Sequence, residues 1–215
     1  MLWVGQFQLV GGQAQEEGPF AAVFPGRPRG DAEPADLYMV VEPALPGSAE
    51  FCGQLIEAIG RLFHRHKLSL TGGLLGALKG AHNDLREWNL KSLKEHRVAT
   101  GTSCLALRGQ EAYLAQVGPA STYVRRGDQL RRASPHIPDA EEPLGLYDEF
   151  WPAFRRYDLS PGDSILLATT NLATVTSEEE IDAALALPPV EGLPTLFRQA
   201  HHLSDGAALL IACQP

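Results

Sequence analysis

The short apolar run from Ser164 to Ala168 constrains the fold more than any other part of the sequence. A Pro-Gly turn precedes it, and five residues are too few for an ordinary helix, so the run is typical of a buried strand. Ser177 and Glu180 then have the spacing of a capping box, which predicts the start of a helix. Between strand and helix lies a polar tip, Thr169 to Asn171. Because a strand fixes the backbone while polar side chains leave the core, we expect functional residues at such a tip.

Length and composition favour one large domain, residues 1–215, with a substantial core. Hydrophobic residues make up 44% of the chain and charged residues 20%, which argues against extensive disorder. The net charge of -8 argues against nucleic-acid binding, because phosphate contacts need clustered Lys and Arg.

Cysteine spacing and the lack of long apolar segments predict the compartment. Cys52, Cys104 and Cys213 lie far apart and are interpreted as reduced core residues, without zinc-site or disulfide spacing. The sequence shows neither a signal peptide nor an apolar run long enough to span a bilayer. We therefore expect a cytoplasmic protein that does not bind membranes.

The order of periodic segments predicts an α+β fold in which helices face mainly antiparallel sheet. Apolar residues at helical spacing predict two long helices, one from Ser48 as N-cap through Leu62 and one around Leu74 to Trp88. The other predicted segments are strands at 2–10, 20–24, 37–41, 164–168 and 207–213, helices at 178–187 and 195–202, an antiparallel meander of strands at 103–108, 112–117, 122–126 and 129–133, and surface loops at 25–34 and 135–152.

Five motifs resemble, in order, those of the metal-dependent protein phosphatases of type 2C and their bacterial sporulation-type relatives. They are Gly101-Thr102-Ser103, Ala112 to Gly118, Tyr123 to Gly127, Leu159 to Leu167, and Ser204-Asp205-Gly206. The resemblance covers nearly the whole chain and implies a four-layer αββα sandwich, with two antiparallel sheets packed together and a pair of helices outside each.

The resemblance also implies where a two-ion Mg²⁺ or Mn²⁺ centre is expected. The family's metal-binding acids correspond to Glu17, Glu42 and Asp205, while the Asp of its Ser-Asp-Gly motif falls on Thr170. The family's phosphate-binding Arg falls on Gly12. Thr in place of Asp removes a full negative charge, and Glu in place of Asp moves the ligand oxygens by one methylene, so both changes weaken cation binding.

Two interpretations of the degenerate motifs remain open. The first is a catalytically inactive phosphatase-like domain, without a cofactor, that binds another protein and acts in signalling or regulation. The second is an atypical phosphatase that acts on phosphoserine or phosphothreonine through Glu17, Glu42 and Asp205 with Mg²⁺ or Mn²⁺. Asp205 is equally compatible with a structural role at a turn before the last strand.

Four arginines flank the turn of one predicted hairpin, at positions 125, 126, 131 and 132. A solvated face explains them, but Arg125 and Arg126 are also candidate contacts for a phosphate or an acidic partner. A third hypothesis follows, in which this hairpin holds a phosphopeptide without cleaving it.

Overall fold

The computed structural model describes residues 1–26, 33–65, 69–133, 142–149 and 151–214. Within these residues eleven strands form two antiparallel sheets. Sheet A has the order β2-β1-β11-β10-β7-β8, and sheet B has the order β3-β4-β5-β6-β9. The strands are β1 (Leu2–Val10), β2 (Gln13–Gln15), β3 (Ala21–Phe24), β4 (Asp36–Pro43), β5 (Thr100–Arg108), β6 (Glu111–Val117), β7 (Ser121–Arg126), β8 (Gln129–Arg132), β9 (Ala153–Asp158), β10 (Ser164–Ala168) and β11 (Gly206–Cys213).

Helices cover the outer face of each sheet, which confirms the predicted αββα layers. Two long helices, α1 (Ala49–Arg65) and α2 (Leu70–Lys91), lie over sheet B, whereas α3 (Thr170–Val175), α4 (Glu178–Ala186) and α5 (Pro189–Ala200) lie over sheet A. Sheet A therefore carries three short helices instead of a pair. No helix in the described residues is both long enough and apolar enough to cross a membrane.

Strand β10 is apolar throughout because both of its faces are covered. Ile165 and Leu167 point into the core between the sheets, whereas Leu166 and Ala168 pack with the helices over sheet A. A strand buried on both faces reads as a continuous apolar run. The predicted strand and the predicted capping box of Ser177 and Glu180 are both confirmed.

The two long helices are present, but the side chains of Ser48 and Trp88 differ from their predicted roles. Ser48 directly precedes α1, yet its hydroxyl accepts a hydrogen bond from the backbone N–H of Ala99 and thereby connects α1 to the segment before β5. Trp88, expected on the buried stripe of α2, is 52% exposed and packs edge-to-face on Phe51 of α1.

The predicted four-strand meander is also wrong, because its strands belong to different sheets. Strands β5 and β6 form a hairpin in sheet B, and β7 and β8 form a hairpin in sheet A. The Gly118 turn, with a φ of 65°, carries the chain from one sheet to the other. Each hairpin has the local pairing that its alternating sequence predicts, but alternation contains no information about which sheet a hairpin joins.

The segment from 135 to 152 was expected to be a surface loop, and its described part differs from that expectation. Leu144 is fully buried and exchanges two backbone hydrogen bonds with Thr100. Within these two predicted loops, residues 27–32, 135–141 and 150 lie outside the described residues. Two further strands were missed altogether, the short β2 and the edge strand β9.

One buried glutamine connects the two sheets. Gln8 of β1 is fully buried, and its Oε1 accepts hydrogen bonds from the N–H groups of Phe20 (2.9 Å) and Ala21 (3.0 Å). Its Nε2 donates to the carbonyl oxygen of Ala21 at 2.9 Å. One side chain in sheet A thus satisfies three backbone groups at the start of β3 in sheet B.

We expect Gln8→Ala to destabilise the fold because it leaves these three backbone groups buried without partners. The expected loss is roughly 3 kcal/mol in the free energy of unfolding, measured by urea denaturation. Gln13→Ala in the exposed strand β2 is the matched control and should change stability by less than about 0.5 kcal/mol. Equal losses in the two variants would contradict the connecting role of Gln8.

Candidate functional site

Three of the residues selected by the family resemblance lie where strands end or begin. Glu42 is next to last in β4, Thr170 begins α3 one residue after β10 ends, and Asp205 directly precedes β11. Strands β10 and β11 are neighbours in sheet A, and β4 of sheet B packs against both of them. These strand termini therefore form one region at the interface between the sheets.

Glu42 and Thr170 are joined directly by two hydrogen bonds. The backbone N–H of Thr170 donates to Oε2 of Glu42 at 2.8 Å, and the Thr170 hydroxyl donates to the same oxygen at 2.7 Å. Glu42 is only 6% exposed. A threonine at the position of the family's metal-binding Asp thus acts as a hydrogen-bond donor to a buried carboxyl group from the other sheet.

Burial has the largest effect on the pKa of Glu42. Loss of solvent raises the pKa of Glu42 to about 7, although the two hydrogen bonds from Thr170 act in the opposite direction. Oε1 of Glu42 is buried and has no hydrogen-bond partner among the described residues. The group therefore changes charge near neutral pH, and one of its oxygens lacks a compensating donor.

Asp205 is held by neighbouring protein groups. Its Oδ1 accepts a hydrogen bond from the N–H of Gly11 at 3.1 Å, and its Oδ2 accepts one from the Ser204 hydroxyl at 3.0 Å. The side-chain amide of Asn171 donates to the backbone oxygen of Asp205. These contacts fit the structural alternative for Asp205, at the turn before β11.

Gly206 lies close against the residues that follow β10. A Cβ atom on Gly206 would lie 3.3 Å from both Oδ1 of Asn171 and Oγ1 of Thr169. The Thr169 hydroxyl donates to Oδ1 of Asn171 at 2.6 Å. Asn171 therefore lies directly beside position 206.

Glu17 lies in a different setting. It is exposed and borders an open cavity of about 650 Å³ together with Gln6, Gly53 and Glu57. Across residues 1–26, 33–65, 69–133, 142–149 and 151–214, the side chains of His, Cys, Asp and Glu form no group of three or more that could hold a metal ion. A joint site of Glu17, Glu42 and Asp205 stays a prediction.

The strand-end residues do not fit the two-ion centre implied by the resemblance. Mg²⁺ and Mn²⁺ are bound by several oxygen ligands, mostly carboxylates. Here Oε2 of Glu42 accepts two hydrogen bonds, both from Thr170. The carboxylate of Asp205 accepts a hydrogen bond from the backbone N–H of Gly11. Of the carboxylate oxygens at the strand ends, only Oε1 of Glu42 accepts no hydrogen bond in the described residues, and one oxygen does not supply the several ligands that these ions need.

The two candidate arginines point to opposite faces of β7. Arg125 forms an ion pair with Asp182 of α4, with 2.9 Å between Nε and Oδ1. Arg126 lies 3.4 Å from Asp163 and over the ring of Tyr157. The structure therefore separates two residues that the sequence places side by side.

Solved structures of bacterial serine/threonine phosphatases are similar to this chain along its whole length. The S. agalactiae serine/threonine phosphatase matches with a TM-score of 0.78 at 11% identity, covering 100% of both chains. Stp1 from Staphylococcus aureus matches with a TM-score of 0.77 at 14% identity, covering 100% of this chain and 96% of that one. PppA, a key regulatory component of T6SS in Pseudomonas aeruginosa, has a TM-score of 0.74 at 18% identity over 98% of this chain and 97% of its own.

These likenesses establish the fold of the PPM-type serine/threonine phosphatases and confirm the fold that the sequence motifs predicted. No protein-family model matches the sequence, and no curated protein matches it either.

The sequence motifs identified Glu42 and Thr170 but missed the bonds between them. The nearest signal was the position of both residues directly at a strand end. Whether two strand ends from different sheets meet depends on packing that the sequence does not display. Helix α3 was missed as well, because it has only six residues and no apolar stripe, and the hydroxyl of its N-cap residue Thr169 bonds to Asn171 instead of capping the helix.

We expect Glu42→Gln to change how stability depends on pH. A carboxyl group whose pKa rises from 4.5 to about 7 on folding contributes stability below pH 4.5 that is lost as pH rises through 7. The neutral amide of the variant does not titrate, so only the wild type should lose stability as the pH rises from 4.5 to 8. The free energy of unfolding of the variant relative to wild type should therefore increase by about 3 kcal/mol over this range. Urea unfolding across this range measures the difference. The control Glu50→Gln, at an exposed position of α1, should keep the wild-type profile, and a Glu42→Gln difference that is constant with pH would contradict the assignment.

Proposed function

We propose that residues 1–215 form a single phosphatase-like domain that has lost metal-dependent hydrolysis and acts as a protein-binding or regulatory module. The observation that carries this proposal is the pair formed by Glu42 and Thr170. Where the resemblance predicts two negative side chains around a cation, a neutral threonine donates two hydrogen bonds to one buried carboxyl group.

The electrostatics of the strand ends support the loss of hydrolysis. In the phosphatase mechanism, bound cations activate water and offset the charge of the phosphate group. A cation at Glu42 would find one carboxylate oxygen without a hydrogen bond, Oε1, because Oε2 accepts two hydrogen bonds from Thr170. Burial already favours the neutral form of Glu42 below about pH 7, and a neutral carboxyl group is a poor ligand for a hard cation.

The proposed partner is another protein, and the proposed location is the cytoplasm. The net charge of -8 disfavours nucleic acid and anionic membrane surfaces as partners. A role in signalling or regulation is part of this proposal.

One observation favours the second candidate, an atypical Mn²⁺- or Mg²⁺-dependent phosphatase. Oε1 of Glu42 is buried without a hydrogen-bond partner in the described part of the chain, and buried polar atoms in native proteins normally have one. A cation would satisfy this oxygen, as would a proton on the carboxyl group. Glu42 and Asp205 would be the residues that hold the cation, and their protein donors would have to give way.

Titration calorimetry with Mn²⁺ and an assay with p-nitrophenyl phosphate distinguish the two candidates. We expect a flat titration and no turnover above the rate without protein. Turnover that requires Mn²⁺ and is abolished by Asp205→Ala would overturn the proposal.

The variant Thr170→Asp is the matched positive control for these measurements, because it restores the charge that the family has at this position. It should be less stable than wild type without metal, since two carboxyl groups then lie together. Mn²⁺ should raise its Tm by mass action, whereas the Tm of wild type should not change.

A further inference from the structure

Strand β3 forms one edge of sheet B, and a large cavity lies beside it. Because β3 ends the strand order of its sheet, β4 is the one strand that pairs with it in the described part of the chain. The cavity has a volume of about 650 Å³. Besides residues of β3, its lining includes Gln6 of β1, Glu17 before β3, and Gly53 and Glu57 of α1. We name the space bounded by β3 and these four residues the β3 groove.

The register of β3 against β4 shows which backbone groups face the open edge. In an antiparallel pair, alternate residues direct both their N–H and their C=O groups toward the partner strand. The carbonyl oxygen of Phe20 accepts from the N–H of Val41, in line with the register of the two strands. Every second residue from Phe20 onward therefore bonds to β4, whereas the backbone groups of Ala21 and Val23 point away from it.

The two outward-facing residues of β3 differ in what covers them. Both backbone groups of Ala21 are bonded to the side chain of Gln8, which makes the pair of bonds that an added strand would make. Val23 lies two residues further along the same edge and is 37% exposed. An N–H and a C=O on an open strand edge can pair with an extended segment of another chain.

The β3 groove offers acceptors without donors. Glu17 and Glu57 are exposed, and neither carboxylate forms an ion pair or a hydrogen bond with a described residue. Oε1 of Gln6 is buried and also lacks a hydrogen-bond partner among these residues. The described lining of the groove contains no Lys or Arg. This set of groups favours a ligand that brings positively charged donors.

The acceptors of the β3 groove lie on both sides of the open edge. Gln6 pairs with Leu209 on the inner face of sheet A, and its Nε2 donates to the backbone oxygen of Glu16 at 3.1 Å. Glu17 is the next residue, so it lies on this side. Glu57 belongs to α1, which covers the outer face of sheet B. Because successive side chains of an extended segment alternate between two faces, neighbouring residues of an added strand would point to the two sides in turn.

We propose that the β3 groove binds an extended segment of a partner protein that pairs with Val23 and carries two adjacent Lys or Arg residues. One cationic side chain lies beside Glu17 and Gln6, and the next lies beside Glu57. The net charge of -8 attracts such a segment from a distance. This inference deepens the proposed function, since it rests on the domain being a protein-binding module and names the chemistry of the partner.

Fluorescence polarisation with three labelled peptides and the full chain tests which segment the groove selects. Ser-Val-Arg-Arg-Val-Ser has adjacent cations, Arg-Val-Ser-Ser-Val-Arg has the same composition with the cations apart, and Ser-Val-Gln-Gln-Val-Ser is neutral. We expect the first peptide to bind about tenfold more tightly than the neutral one and about threefold more tightly than the second. Its affinity should fall as salt rises.

Variants of the protein test the site itself. Glu17→Gln and Glu57→Gln should each weaken binding of the adjacent-arginine peptide about threefold, because each removes one exposed ion pair. Glu179→Gln is the matched control, since it removes the same charge from an exposed position of α4 and should leave the affinity unchanged. Val23→Pro removes the N–H on the open edge without removing a bond to β4 and should weaken binding about fivefold. Thermal melting checks that all variants fold.

Four outcomes would overturn the inference. Equal affinity for adjacent and separated arginines would exclude the two-sided arrangement, and equal weakening by Glu57→Gln and Glu179→Gln would reduce binding to attraction by overall charge. Unchanged binding by Val23→Pro would exclude strand addition. Displacement of the peptide by Mn²⁺, compared with NaCl of equal ionic strength, would identify the carboxylates as ligands of a metal ion instead.

The proposed loss of hydrolysis is judged separately, by the turnover of p-nitrophenyl phosphate with Mn²⁺. Turnover would overturn the proposed function and leave peptide binding at the β3 groove to be judged by the variants. Loss of selective peptide binding without turnover would overturn this inference alone.

Discussion

The burial of one carboxyl group at the interface between two sheets is the constraint on which the candidate site depends. Glu42 ends a strand of sheet B, and its surroundings are set by β10, β11 and the start of α3. A buried carboxyl group needs a cation, a proton or hydrogen-bond donors to offset its lost hydration. Thr170 supplies two donors to one oxygen, and these hydrogen bonds lower the pKa of Glu42 less than burial raises it.

Direct hydrogen bonds also connect the strand ends to one another. Thr170 connects sheet B to the segment after β10, Asn171 connects that segment to the backbone of Asp205, and Asp205 connects onward to Gly11 after β1. Each contact joins elements that are distant in sequence. Hydrogen bonds between protein groups thus link strand ends of both sheets.

The sequence predicted correctly those elements whose residue pattern follows directly from their burial or from a local capping motif. Strand β10 is apolar at every position because both of its faces are covered, and α4 begins at a capping box that needs no tertiary contact. Strand β9 was missed for a physical reason. Its inner face carries Arg155 and Tyr157, which line a cavity, and its outer face carries the partly exposed Phe154, so the usual alternation of apolar and polar residues is absent.

The arginines show most clearly where sequence reasoning reaches its limit. Adjacency in the chain grouped Arg125 with Arg126, but the two-residue period of a strand sends them to opposite faces. Arg125 becomes part of the contact between β7 and α4, while Arg126 lies beside Asp163 and over the ring of Tyr157. Tyr157 belongs to β9 of the other sheet, so the surroundings of Arg126 depend on how the two sheets are stacked, and the sequence does not show this stacking.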